Sequence, residues 1–263
     1  MAESSSNQAS SMQLNTREGY QIKRRTTKLE EGQLTIQVEN LVGFVSLTRH
    51  ECDLSSFLRY QDLSGNFTML DGPTYENMVR YYWVRAKIYD QNAARLEEHE
   101  KVLIDPSLGG KTREELGLKP FTKTEICSNI MGIYVTITEE VIARACRRAT
   151  EGSIEENMNN VTSPWKEIVK DSLLNGNVKG KYKDMQKEHK ILHKLMQECS
   201  LPKGGGVDQL SLEHKVFLHF LITFEKVNLP RYIFHHMLWA LKESQEKNKT
   251  FIPYGRLLSE IFH

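Results

Sequence analysis

The chain has 263 residues, 39% of them hydrophobic, and its 35 basic and 34 acidic side chains leave a formal net charge of +1. A chain of this size buries most of its apolar surface without disulfides, and so balanced a charge excludes a global electrostatic pull toward nucleic acid or membrane surfaces. The four cysteines, Cys52, Cys127, Cys146 and Cys199, are scattered with no CxxC pair, so they read as buried thiols of a reducing compartment rather than as a disulfide framework.

Residues 1–30 are polar and serine-rich, lack the apolar content that offsets ordering entropy, and are expected to form a disordered tail. They resemble neither a secretory signal nor an anchor, and no later apolar run approaches the roughly 20 residues of a spanning helix. The expectation is a soluble intracellular protein, cytoplasmic or nuclear, with no membrane partner. The Asn-x-Thr sequons at Asn66, Asn160 and Asn248 then have no use. Lys23, Arg24 and Arg25 read as solvated charge in the tail, with a phosphate contact or nuclear address as the alternative.

The alternation of Leu34, Ile36 and Val38 suggests a short strand or extended segment. Asp71-Gly72-Pro73-Thr74 then turns the chain into a helix, because proline near the first turn forfeits no helical hydrogen bond. Tyr75, Met78, Val79, Tyr82, Ala86, Tyr89, Ala93 and Leu96 recur at three and four. They predict one helix to about Lys101, roughly 40 Å long at about 1.5 Å per residue. Aromatics at that spacing fill a core rather than stack bases, with Trp83 at the margin.

Residues 105–120 form a connector. Gly109-Gly110-Lys111-Thr112 echoes a phosphate-binding loop, but Asp105 stands where the first glycine is needed and no buried strand precedes it, so the match is chance. Gly132 to Ile137 alternates as a strand does. Thr138 is placed to cap a helix opened by Glu139 and Glu140; Arg144, Arg147 and Arg148 suit its C-terminal dipole, and Gly152 ends it.

Beyond a polar linker, Ser163-Pro164-Trp165 starts a helix whose apolar face is Trp165, Ile168, Val169 and Leu173. A second amphipathic helix over 181–199 buries Tyr182, Met185, Leu192, Leu195, Met196 and Cys199. Its outer face carries Lys183, Lys187, Lys190 and Lys194, diluted by Asp184, Glu188 and Glu198, and reads as a solvated face. After a glycine-rich joint, residues 212–262 hold the densest large apolar side chains. Val216, Phe217, Phe220, Leu221 and Phe224, then Ile233, Phe234, Met237, Leu238 and Leu241, then Leu257, Leu258 and Ile261 define three helices too short to stand alone. They must pack on each other and on something upstream. The pattern continues to Phe262 without a polar tail, as expected of a truncated product.

Little in the chain points to chemistry. His189 and His193 are one turn apart with Cys199 beyond, but a third ligand at metal spacing and the Glu of an HExxH motif are missing. His214, His219, His235 and His236 read as packed or exposed helix residues. No nucleophile elbow or dinucleotide glycine pattern occurs. The expectation is a non-enzymatic protein with no catalytic residue, no metal, no cofactor and no small-molecule substrate.

Six segments carry a resemblance: Gly72-Pro-Thr-Tyr, Gly110-Lys-Thr-Arg-Glu-Glu-Leu-Gly-Leu, Met131-Gly-Ile-Tyr-Val-Thr-Ile-Thr, Pro202-Lys-Gly-Gly-Gly, Asn228-Leu-Pro-Arg-Tyr-Ile and Pro253-Tyr-Gly-Arg-Leu-Leu-Ser-Glu-Ile-Phe. Over residues 57 to 263 the chain resembles a group of legume proteins with a plant transposon protein domain. That group is similar to extra reading frames of Athila-type and related gypsy-like retrotransposons, some called envelope-like. The resemblance implies a retrotransposon-derived accessory or structural protein acting by protein association or self-association, and it brings no catalytic residues. It departs from an envelope in having no membrane segment. The expected fold is mainly α, an irregular multi-helix domain with a minor short-strand component. Its regions are the 1–30 tail, an N-terminal helical region at 31–152 and a C-terminal helical region at 153–263, the last two packed as one domain. The alternative function is nucleic-acid binding through Lys183, Lys187, Lys190 and Lys194 with Lys23, Arg24 and Arg25.

Overall fold

A computed structural model describes residues 30–41, 43, 49, 54–152, 165–174, 185–202, 212–247 and 250–263. Along the chain these form β1 (Thr35–Ile36), α1 (Ser55–Tyr60), α2 (Ser64–Met69), α3 (Glu76–Arg85), β2 (Lys87–Tyr89), α4 (Gln91–Ile104), β3 (Glu125–Ile130), β4 (Ile133–Ile137) and α5 (Glu139–Ala145). There follow α6 (Trp165–Leu174), α7 (Lys187–Cys199), α8 (Leu212–Ile222), α9 (Leu229–Lys247), β5 (Phe251–Ile252) and α10 (Gly255–Phe262). The fold is mainly α, with an antiparallel sheet in the order β2-β3-β4 and a small parallel pair, β1-β5.

The single helix expected from Pro73 to Lys101 is a correction: the chain makes α3, then β2, then α4. Ala86 leaves the helix at φ −63° and ψ 139°. Lys87, Ile88 and Tyr89 then pair with Cys127, Ile126 and Glu125. Asp90 opens the next helix by accepting the backbone N–H groups of Asn92 and Ala93, each at 3.0 Å. A strand pairing 40 residues away, together with a local carboxylate cap, outcompetes continued helix. The three–four spacing misleads because Tyr82, Ala86, Tyr89 and Ala93 are buried in either arrangement.

The three C-terminal helices form where the apolar spacing puts them, and α10 lies between α2, α3 and α5. Leu257 and Leu258 share one hydrophobic cluster with Tyr82, Trp83, Ile126, Ile137, Ile142, Phe217 and Met237, so the core draws on both halves of the chain. Trp83, expected at a margin, is fully buried and donates its indole N–H to Ser244 Oγ at 3.2 Å. Gly255 is required by contact: a Cβ there would sit 2.6 Å from Ile36 Cγ2. Met185, Leu192, Leu195, Met196 and Cys199 are buried as the pattern of α7 requires, while Tyr182 lies outside the described residues.

Two boundaries move. Thr138 Oγ1 caps α5 by accepting the Val141 N–H at 3.4 Å, but the helix ends at Ala145 instead of Gly152. Arg147, in the left-handed region at φ 52°, turns the chain out. Gly152, at φ 111°, serves a different contact, since a Cβ there would meet Lys226 O at 2.7 Å. Phe224 lies past the end of α8, left-handed at φ 57° and exposed. Cys127, Cys146 and Cys199 are free, buried thiols, and Cys52 lies outside the described residues.

Candidate interaction surface

The β3–β4 hairpin is built rigidly at its base and exposed at its tip. At the base, Tyr82 donates its hydroxyl to Ile126 O at 3.1 Å, and Ser128 Oγ donates back to Tyr82 O at 2.9 Å. These reciprocal bonds pin β3 to α3, and Ile126 and Ile137 are completely buried beneath them. Cys127, on the opposite face, has its thiol pushed above the usual range by burial.

The ladder runs from Ile126 opposite Ile137 to Ile130 opposite Ile133, which leaves a two-residue turn. Met131 and Gly132 adopt φ 50° and 90°, both positive, as the tight type I′ hairpin turn requires. Asn129 Oδ1 accepts the Gly132 N–H at 2.7 Å and braces the turn. Past this point the strands project beyond the core. Met131 is 80% exposed, Ile133 69% and Tyr134 48%, three large apolar side chains on one tip. Scattered exposed apolar residues are ordinary on a protein surface; a contiguous apolar group on a braced projection marks a place of contact.

The sequence reading found β4 but passed over β3, because Cys127-Ser128-Asn129 interrupts the apolar run. The usable signal was Met131-Gly132 between two isoleucines, a two-residue break with glycine second. A further aromatic group also escaped notice. Phe57 stacks on Phe224 with ring centroids 5.4 Å apart, and Tyr60 meets Phe224 edge-on at 5.5 Å. The buried amide of Gln61 supports this corner by accepting the Val227 N–H at 3.1 Å and donating to Glu225 O.

Of the candidate phosphate contacts, Lys187 and Lys194 are exposed on α7 and Lys190 is half-buried. Lys194 lies 3.8 Å from Glu198. Lys183, Lys23, Arg24 and Arg25 lie outside the described residues, so the structure does not bring the set together.

The histidines are mostly inside. His193 is fully buried, edge-on to His214 with centroids 6.1 Å apart, and His214 Nε2 donates to Leu201 O at 3.2 Å. His236 Nδ1 is 2.8 Å from the Tyr254 hydroxyl. Burial lowers the pKa of His189 and raises Cys199 to about 12. Among the described residues no group of three His, Cys, Asp or Glu side chains is arranged to hold a metal. The Asn66 sequon is buried, its amide donating to Ser200 Oγ at 3.3 Å.

The phosphate-loop echo is an exposed turn. Thr112 and Glu115 form a capping box, Glu115 Oε2 accepting the Thr112 N–H at 2.7 Å and Thr112 Oγ1 accepting the Glu115 N–H at 3.4 Å. Arg113 of the same turn reaches inward with all five donors bonded. Nε donates to Lys119 O at 3.1 Å; one terminal nitrogen donates to Ala94 O at 2.6 Å and Glu98 at 2.9 Å; the other to Tyr89 Oη at 2.8 Å and Glu97 at 2.7 Å. Tyr89 in turn donates to Glu97 Oε2 at 2.6 Å. The arrangement clamps the connector to α4.

Among the described residues no helix is long and apolar enough to cross a membrane. Comparison of the chain with protein-family models, curated proteins and solved structures finds no match.

Proposed function

We propose that this protein works by protein association, as a non-enzymatic accessory or structural protein of the retrotransposon-derived kind that its sequence resembles. The observation that carries the association reading is the exposed tip of Met131, Ile133 and Tyr134 on a hairpin whose base is locked to α3. A rigid apolar projection gains affinity because little conformational entropy is lost when it docks. Flexible apolar segments lack that advantage.

The test is a doubly substituted full-length protein, Met131→Asp with Ile133→Asp. Both side chains are more than two-thirds exposed, so folding should be unchanged by circular dichroism. Cross-linking and mass spectrometry in expressing cells should then show the partner bands of the parent protein disappearing. Identical cross-link patterns for the two proteins would sink the reading. The alternative, nucleic-acid binding through the α7 lysines, is tested separately below.

A further inference from the structure

We propose that a second copy of this chain docks along β4, antiparallel, with a two-fold axis through Val135. The inference rests on the association reading above and names its partner. β4 is an outer strand of the β2-β3-β4 sheet among the described residues. Its pairing with β3 fixes which backbone groups face which way. The two-residue turn makes Ile130 and Ile133 a hydrogen-bonded pair, so Ile133, Val135 and Ile137 direct their N–H and C=O groups at β3. Alternation along the strand then turns those of Tyr134 and Thr136 toward the outer edge.

The partner is read from the strand's own sequence. Ile133-Tyr134-Val135-Thr136-Ile137 is nearly the same in both directions, isoleucine at each end and valine at the centre. A two-fold through Val135 sets Ile133 opposite Ile137 of the other copy, Tyr134 opposite Thr136, and Val135 opposite itself. The outward-facing groups of Tyr134 and Thr136 then fall in register as hydrogen-bonded pairs. Aromatic and β-branched cross-strand neighbours of this kind stabilise antiparallel pairing.

Charge points the same way. The five residues carry no Lys, Arg, Asp, Glu or Pro, the devices by which edge strands are kept apart. Self-pairing therefore sets no like charges against each other, and a charged partner strand would gain no complementary ion. The area sets the strength. The exposed tip offers on the order of a few hundred Å² per copy, below the roughly 800 Å² per partner of a standard stable interface, so the dimer is weak and concentration-dependent.

Sedimentation velocity of the full chain across about 1 to 300 µM should show reversible monomer–dimer exchange. Thr136→Pro removes an outward N–H while sparing the β3 ladder, and should shift the dissociation constant upward at least tenfold with thermal unfolding little changed. A second arm does not depend on that variant folding. A non-hydrogen-bonded antiparallel pair has Cα atoms about 4.5 Å apart, within disulfide range. Val135→Cys should therefore form a 135-to-135 disulfide under mild oxidation, mapped by peptide mass spectrometry, because the described native cysteines are buried. A monomer at every concentration with no such cross-link would overturn the proposal. So would a dimer indifferent to Thr136→Pro and cross-linked elsewhere. If the protein is monomeric yet the tip substitutions still abolish cross-links to other proteins, the two-fold pairing alone is lost; if those cross-links are also absent, the association reading goes with it.

Discussion

The carboxylate of Glu39 sits at the start of α10, 217 residues away in the chain, and accepts the backbone N–H of Arg256 at 2.7 Å and of Leu257 at 3.2 Å. Arg256 answers with its side chain, donating Nε to Glu39 O at 2.8 Å and a terminal nitrogen to Leu70 O at 2.5 Å and Gly72 O at 2.8 Å. One glutamate thus caps the central helix, and one arginine ties three segments together. Glu39 is only 1% exposed, and burial raises its pKa from 4.5 to about 7 despite those bonds.

A carboxyl with a raised folded-state pKa contributes stability at low pH that is lost as pH rises. The unfolded chain ionises this group near 4.5 and the folded chain only near 7. Across that window the group alone should lower stability by about 1.4 kcal/mol per pH unit. Glu39→Gln keeps one acceptor and removes the proton equilibrium. Urea unfolding of both proteins from pH 4 to 8 should give curves that diverge between 4.5 and 7, the parent losing stability relative to the variant. Parallel curves would contradict the assignment.

His236 should act in the opposite sense. It is stacked on Trp239 and bonded to Tyr254, and burial together with the nearby His214 lowers its pKa from 6.5 to about 3. The unfolded chain takes up this proton below 6.5 and the folded chain does not, so the contribution is complete above 6.5 and is lost as pH falls toward 3. Between 4.5 and 6.5 the two slopes oppose each other; below 4.5 the histidine acts without the glutamate. His236→Gln should flatten the acid limb of stability against pH, measured by thermal unfolding between pH 3 and 6. An unchanged acid limb would point to other buried histidines.

Arg113 gives a sharper energetic expectation. Glu97 has only 5% of its side chain exposed, and Arg113→Met would leave that carboxylate buried beside a tyrosine without its cation. Breaking a buried ion pair from one side typically costs about 3–5 kcal/mol. Arg113→Lys should recover only part of that, because an ammonium cannot fill five directed positions. Combining Arg113→Met with Glu97→Gln should be less damaging than Arg113→Met alone. Denaturant midpoints for the three variants check the order.

The lysine face of α7 is expected to bind nucleic acid negligibly. Lys194 already faces Glu198, and Glu188 adjoins Lys187. Labelled single- and double-stranded DNA and RNA at about 50 mM and 150 mM salt should show no micromolar binding. Binding that is lost in Lys187→Glu with Lys194→Glu, and that weakens steeply with salt through counterion release, would reverse the choice between the two readings.

Periodicity in the sequence locates α8, α9 and α10 because each buries one continuous stripe, and a stripe is a local property. Thr138 and Asp90 show where local reading divides. Thr138 announces its helix, since hydroxyl, two glutamates and apolar spacing agree; Asp90 does not, because its cap interrupts a pattern already satisfied by helix. β5 and the partner of Glu39 were invisible for a stronger reason. Thr35 with Phe251, and Glu39 with Arg256, are pairs made by the tertiary fold, and neither member signals the other. The tip was half legible: alternation marks Ile133 to Ile137 as strand, but their exposure depends on how far the hairpin overhangs the core.

The parallel pairing of β1 with β5 also bears on how the protein is made. At about 5–20 residues per second, a ribosome needs roughly ten to forty-five seconds to travel the 217 positions from Glu39 to Arg256. Throughout that interval Leu34 has no α10 side to pack against, and β1 has no strand beside it. The nascent chain cannot mature from its N-terminus forward. Its earliest segment waits for its latest, a demand that a holding chaperone or slow release from the ribosome would meet.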